Sequence, residues 1–252
     1  MRIASRGQAV FAASMMALGI LGLVTGDFAS VWQPVPKDIP AREALAYLCA
    51  FISLAAGAGL LLQRYTSIAV RVLLVYLLLW LLLLKAPDLF RAPAVEASWL
   101  GCGEIAVLVA GAWSLFACFS GNGNSNGNSN GKGLRGAQLL FGVALIPLGL
   151  AHLVYAKETA QMVPGWLPAH LLWAYLTGAT YLAAAAAVLI GKWAREAAAL
   201  TALQMGLFTL LVWGPMLAAN AKGAFQWGGA LISLALAGGA LAVADSYRGA
   251  RR

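Results

Sequence analysis

Two stretches of this chain, about 128 residues apart, read nearly alike. Val35-Pro36 and Pro40 return as Val163-Pro164 and Pro168, and the same offset carries Tyr47 onto Tyr175, Arg64 onto Lys192, Pro87 onto Pro215 and Trp99 onto Trp227. A duplicated unit constrains the fold strongly, because one architecture must serve both copies and the copies must pack together. Each copy holds four apolar stretches, at about 8–26, 44–63, 67–86 and 98–118, then 137–156, 170–190, 195–218 and 226–244. Each approaches the ~20 helical residues needed to cross ~30 Å of hydrocarbon.

Composition points the same way. The chain is 62% hydrophobic and 10% charged, against roughly 25% charged residues in an average soluble domain. Backbone crossing lipid must satisfy its own hydrogen bonds, which leaves helices or a closed barrel. The run from Val72 to Leu84 lacks the in/out alternation of a barrel strand. The expected fold is therefore an all-α integral membrane protein with eight transmembrane helices, arranged as two four-helix repeats. Four spans per unit insert both copies in the same sense, so the repeats should be parallel and related by a pseudo-two-fold axis along the membrane normal. The expected units are 1–118 and 136–252, joined by a flexible Gly/Asn/Ser linker over 119–135. The first apolar stretch follows a basic Met1-Arg2 start and has the look of a signal peptide, but its counterpart around Leu148-Gly149-Leu150 is internal. It is read as a retained helix.

Orientation follows from Lys and Arg. One side collects Arg2, Arg6, Arg64, Arg71, Lys132, Arg135, Lys192, Arg195, Arg248, Arg251 and Arg252; the other holds Lys37, Arg42, Lys85, Arg91, Lys157 and Lys222. The richer side is expected to be cytoplasmic, with both termini there. The net charge of +8 is then an insertion signal. No basic soluble domain exists to host nucleic acid, and none is expected as a partner.

Polar residues inside apolar spans are the candidates for chemistry, since an ionisable group at mid-bilayer costs on the order of 2.5–3.5 kcal/mol on insertion scales. Glu104 lies in the fourth span among Ile105, Ala106 and Val107. It suits a proton relay or a polar head group, or equally a structural hydrogen bond. His152, near the outer end of the fifth span, suits a carbonyl ligand or a proton relay, or an interhelical contact. Asp27, Tyr47, Tyr175, Thr177 and Tyr181 fall at similar depth and are expected to line an outward or lateral cavity with them, though Tyr and Trp also gather at interfaces for packing reasons. Cys49 and Cys102 sit at matching depth, which permits a thiol pair or two small apolar fillers. Pro36, Pro40, Pro164 and Pro168 shape helix entries, Pro87 and Pro215 are expected to end the third and seventh spans, and Trp32 and Trp166 could lie over the cavity as lids. No Cys-x-x-Cys, His-Glu-x-x-His, phosphate loop or nucleophile elbow occurs, and no metal is expected.

Several runs carry a resemblance. Gly149-Leu150-Ala151-His152-Leu153, Met162-Val163-Pro164-Gly165-Trp166-Leu167-Pro168 and Ala174-Tyr175-Leu176-Thr177-Gly178, over about 136–218, resemble the DoxX-like family of four-helix bacterial membrane proteins. The first unit, from Asp27-Phe28-Ala29 through Arg42-Glu43-Ala44-Leu45-Ala46-Tyr47, is similar to a lesser degree, so the chain looks like a fused, double-length member. The resemblance implies a membrane subunit of quinone-linked redox chemistry in a bacterial inner membrane, working with oxidoreductase partner subunits. It also implies an acidic residue three positions after the second-helix Gly; here that position is Tyr181 after Gly178, and Ser53 in the first unit. The chain is thus expected to be non-catalytic alone and to bind a small apolar or amphipathic ligand, a quinone being favoured. A carrier of a small lipophilic solute and a structural or assembly subunit without ligand are the alternatives.

Overall fold

A computed structural model describes residues 5–29, 32–120 and 127–249. They form helices α1 (Arg6–Thr25), α2 (Arg42–Leu61), α3 (Thr66–Trp80), α4 (Ala86–Arg91), α5 (Glu96–Ser120), α6 (Gly127–Val154), α7 (Ala156–Gln161), α8 (His170–Ile190), α9 (Ala194–Phe208), α10 (Gly214–Ala219) and α11 (Ala224–Gly249). π-Helical turns at Leu81–Lys85 and Thr209–Trp213 fuse α3 to α4 and α9 to α10. Eight continuous helices result that are long and apolar enough to cross a membrane.

Several element bounds of the first half recur in the second. α3, its π-turn and α4 return one repeat length later as α9, its π-turn and α10. Ala41 and Ala169, at equivalent places before α2 and α8, both take left-handed backbone, with φ of 53° and 56°, a conformation uncommon outside Gly. Equivalent indoles make equivalent bonds: Trp99 Nε1 donates to the Pro93 carbonyl and Trp227 Nε1 to the Ala221 carbonyl, both at 2.9 Å.

Proline does not end the third and seventh spans as expected. Pro87 and Pro215 stand in the first turn after each π-turn, and the helices run on to Arg91 and Ala219. A proline lacks an N–H and crowds the preceding turn; one wide turn just before it relieves the crowding without breaking the rod. Within the expected linker, α5 extends to Ser120 and α6 starts at Gly127; residues 121–126 lie outside the described residues.

The first helix of each half packs on the last helix of the other: α1 on α11, and α6 on α5. α2 and α3 flank α1 and α5, and α8 and α9 flank α6 and α11. Glycine permits the closest approaches. A Cβ at Gly238 would come within 2.7 Å of the Phe11 backbone, and one at Gly111 within 2.6 Å of Gly239 Cα. Gly111 and Gly239 are themselves repeat equivalents. Polar ties close the ends: Asp245 accepts from the Gly7 N–H at 3.0 Å, and Arg135 donates to the last carbonyls of α8 at Val188 and Leu189 (3.3 and 3.0 Å). Outward faces are apolar, with Leu172, Leu200 and Leu210 each about two-thirds exposed, a surface suited to lipid.

Candidate functional site

A half-open cavity of about 1430 Å³ lies between α8 and α9 of the second half, backed by α5, α6 and α11, with Trp166, Ile190, Trp193 and Leu200 at its exposed rim. That exceeds the roughly 300–1,000 Å³ of a drug-sized pocket. Its wall is mainly Leu, Ala, Val and aromatic carbon, and four of its polar side chains, Glu104, His152, Tyr181 and Gln204, converge in one region, while Glu158 and Lys192 belong to its two ends.

Two close approaches build that region. Gly178 faces Gly149, and a Cβ there would lie 3.0 Å from His152 Cβ, so only glycine lets α6 and α8 meet at this depth. His152 is thereby brought to Tyr181, ring centroids 5.3 Å apart, and stacks on Phe208 of α9 at 5.7 Å. On the other side, a Cβ at Gly103 would fall 2.7 Å from Pro147, so α5 nests against the proline of α6 and presents Glu104 to the same space.

The hydrogen-bond pattern defines what these groups can offer. His152 Nδ1 lies 2.8 Å from the Leu148 carbonyl. A carbonyl only accepts, so Nδ1 carries the hydrogen and Nε2 of the neutral ring is an acceptor. Gln204 accepts from Thr180 Oγ1 at 2.5 Å and donates to the Thr177 carbonyl at 3.2 Å, tying α9 to α8. The Tyr181 hydroxyl is 3% exposed as part of its residue and faces Gln204 and Glu104. Among the described residues Glu104 has no hydrogen-bond or ion-pair partner; Lys85 and Glu96 supply its nearest charges. A carboxyl, an acceptor nitrogen, a phenol and an amide therefore meet in one part of a largely apolar wall.

Of the residues singled out from sequence, Glu104, His152, Thr177 and Tyr181 line this cavity. Asp27, Tyr47 and Tyr175 lie elsewhere. Asp27 is ion-paired to Arg42 and accepts from the Phe28 N–H, Tyr47 is 40% exposed beside Gly26, and Tyr175 is 47% exposed on the outer side of α8. Asp27 and Tyr47 belong to the first half, away from this cavity, and helical phase turns Tyr175 outward. Cys49 and Cys102 are free thiols: the first lies with Tyr76 of α3, the second with Lys85 of the π-turn. Trp166 stands at the cavity wall, whereas Trp32 is buried in the first half. Gln204 and Phe208 were not anticipated. Gln204 had a signal, being an uncharged polar residue in the middle of an apolar span; Phe208 had none. No group of three or more His, Cys, Asp or Glu able to hold a metal occurs among the described residues.

The fold and cavity define an all-helical bundle with a large apolar site in its second half. A family model described as Domain of unknown function (DUF8561) matches residues 141–237, from α6 into α11. No curated protein and no solved structure matches the chain significantly.

Proposed function

We propose that the chain is an integral membrane protein of DoxX-like type that binds a small amphipathic molecule, a quinone by preference, in the second-half cavity, and serves as a membrane subunit in redox chemistry. The observation that carries this reading is the convergence of Glu104, His152, Tyr181 and Gln204 on one edge of an apolar cavity of about 1430 Å³. A lipid-borne ring needs apolar walls and a few hydrogen-bonding groups at its oxygens. The Tyr181 hydroxyl can donate to a carbonyl oxygen. His152 Nε2 can accept from a hydroxyl, and Glu104 can hold or release the accompanying proton. A quinone supplies two-electron, two-proton chemistry, with the electrons exchanged through a partner oxidoreductase subunit. The runs that resemble the DoxX-like family also supply much of the wall, including His152, Met162, Val163, Pro164, Trp166 and Thr177.

In this reading the eight helices cross a bacterial inner membrane with both termini cytoplasmic. The halves lie parallel about a pseudo-two-fold axis near the contact of Gly111 with Gly239, the equivalent residues that face each other. One observation favours a second reading. The cavity wall runs from Glu158 and Trp166 near one end of the bundle to Lys192 and Trp193 near the other, which suits a carrier passing a lipophilic solute along α8 and α9.

Purification in mild detergent and native mass spectrometry test both. A retained quinone at one equivalent, lost or weakened about tenfold (about 1.4 kcal/mol) in Glu104→Gln and His152→Ala, supports the redox subunit. Quinone binding unchanged in both variants shows that these residues do not serve it. A different retained metabolite that is also taken up by vesicles containing the protein favours the carrier.

A further inference from the structure

The two halves treat one place in the fold in opposite ways. In the first half the segment after α1 turns Phe28 and Trp32 inward, where they are 8% and 2% exposed. The Trp32 indole meets Trp80 at 5.9 Å and Tyr76 at 6.4 Å, and the Phe28 ring meets Trp80 at 5.8 Å. Beside the indole, Gln33 Nε2 donates to the Tyr76 hydroxyl at 2.9 Å, and that hydroxyl lies 3.3 Å from Ser53 Oγ. One repeat length later Ser53, Tyr76 and Trp80 are Tyr181, Gln204 and Phe208, all of the cavity wall. Phe28 and Trp32 have become Ala156 and Ala160, and the segment that holds them forms α7. The first half is closed by its own aromatic side chains. The second half, lacking them, is open.

We infer that the first half is a self-occupied copy of the ligand site, and that its occupant is a template for the ligand of the second half: a planar bicyclic ring seated against Phe208, with a hydrogen-bonding oxygen at the Tyr181–Gln204 edge. The indole of Trp32 fixes the ring size, and the neighbouring amide of Gln33 marks where the polar group belongs. This rests on the quinone reading above and sharpens it: the cavity takes a naphthoquinone ring in preference to a benzoquinone ring. A bicyclic ring covers more of the Phe208 and His152 faces than a single ring, and a small difference in apolar contact discriminates by roughly 10–200-fold.

The test uses two probes without a free quinone ring position for thiol addition, 2,3-dimethyl-1,4-naphthoquinone and tetramethyl-1,4-benzoquinone, with equilibrium dialysis against the intact detergent-purified protein. The expected result is about tenfold tighter binding of the naphthoquinone, narrowed in Phe208→Ala. Equal binding, or preference for the single ring, overturns the template. If neither quinone binds, the quinone reading falls, and the self-occupied copy is judged separately with 3-methylindole, the Trp32 side chain as a free molecule. Trp32→Ala should bind one more equivalent of it than the wild type does, and should gain thermal stability from it. A Trp32→Ala protein that is folded yet binds no additional equivalent overturns the inference. Should that variant fail to fold, the same stabilisation by 3-methylindole is read in Trp32→Phe, and its absence overturns it equally.

Discussion

At the scale of single residues, Gln204 is the group whose two roles separate most cleanly. Its amide joins α9 to α8 through Thr180 Oγ1 and the Thr177 carbonyl and also faces the Tyr181 hydroxyl. Side-chain hydrogen bonds between membrane helices are worth ~0.6 kcal/mol on average and up to ~1.7, because the dissociated helices find other partners. Gln204→Leu should therefore lower the unfolding free energy in detergent by only about 0.6–1.7 kcal/mol. Ligand affinity should fall further than that, since Leu leaves the Tyr181 hydroxyl and the bound oxygen without a common partner; comparing unfolding curves with binding isotherms of the same preparation measures the difference. Glu104, His152, Thr177 and Tyr181 were legible in the sequence because a polar group in an apolar run stands out against its surroundings. Asp27 and Tyr47 belong to the other half, and Tyr175 faces outward, because position along a helix does not fix the side a residue presents, which depends on neighbours the sequence does not name. Gln204, in the middle of its apolar run rather than toward the end where the other candidates cluster, passed unnoticed, although an amide also requires partners away from water.

Among elements, the crossing of α5 and α11 is the most sensitive to volume. A Cβ at Gly111 would stand 2.6 Å from Gly239 Cα and 3.1 Å from its carbonyl oxygen, backbone atoms with no rotamer into which to retreat. Gly111→Leu should cost about 1–3 kcal/mol or more of stability, and Gly111→Ala should also destabilise, although alanine is the better helix former in isolation. Gly131, with open space around it, is the control: Gly131→Ala should leave the melting temperature unchanged or raise it. Thermal unfolding of the three variants in one detergent decides this. The eight spans could be read directly, since twenty apolar residues have few other uses, and the repeat showed that the same set occurs twice. The π-turns could not be read. A proline in a helical run can end it, kink it or be absorbed by one wide turn, and Pro87 and Pro215 took the third course in both halves.

The whole molecule is organised by an exchange that the repeat did not foretell. An apolar helix face states that it must be covered and not by what, so two compact four-helix units joined by a tether were as compatible with the pattern as the observed interlocking. In the structure α1 is covered by α11 and α6 by α5, with Gly7, Phe11, Gly238 and Ala242 at one contact and Gly103, Ala144, Pro147 and Leu148 at the other. Each half thus supplies only part of the surface on which its own first helix packs, α2 for α1 and α8 for α6, and takes the rest from the other half. The ties follow the same division: Gly7 to Asp245 joins the halves, as does the contact of Gly111 with Gly239. Cutting the chain between Ser120 and Gly127 leaves every one of these contacts available if both pieces are present. It leaves α1, α5, α6 and α11 with exposed small-residue faces if either is alone. Co-expressed pieces ending at Ser120 and starting at Gly127, one of them tagged, should therefore co-purify at equal stoichiometry and unfold in one transition. Each expressed alone should aggregate or be degraded. Two pieces that purify separately as stable monomers would mean that the exchanged contacts are weaker than the contacts within each half, and that the cavity can form without α5 and its Glu104.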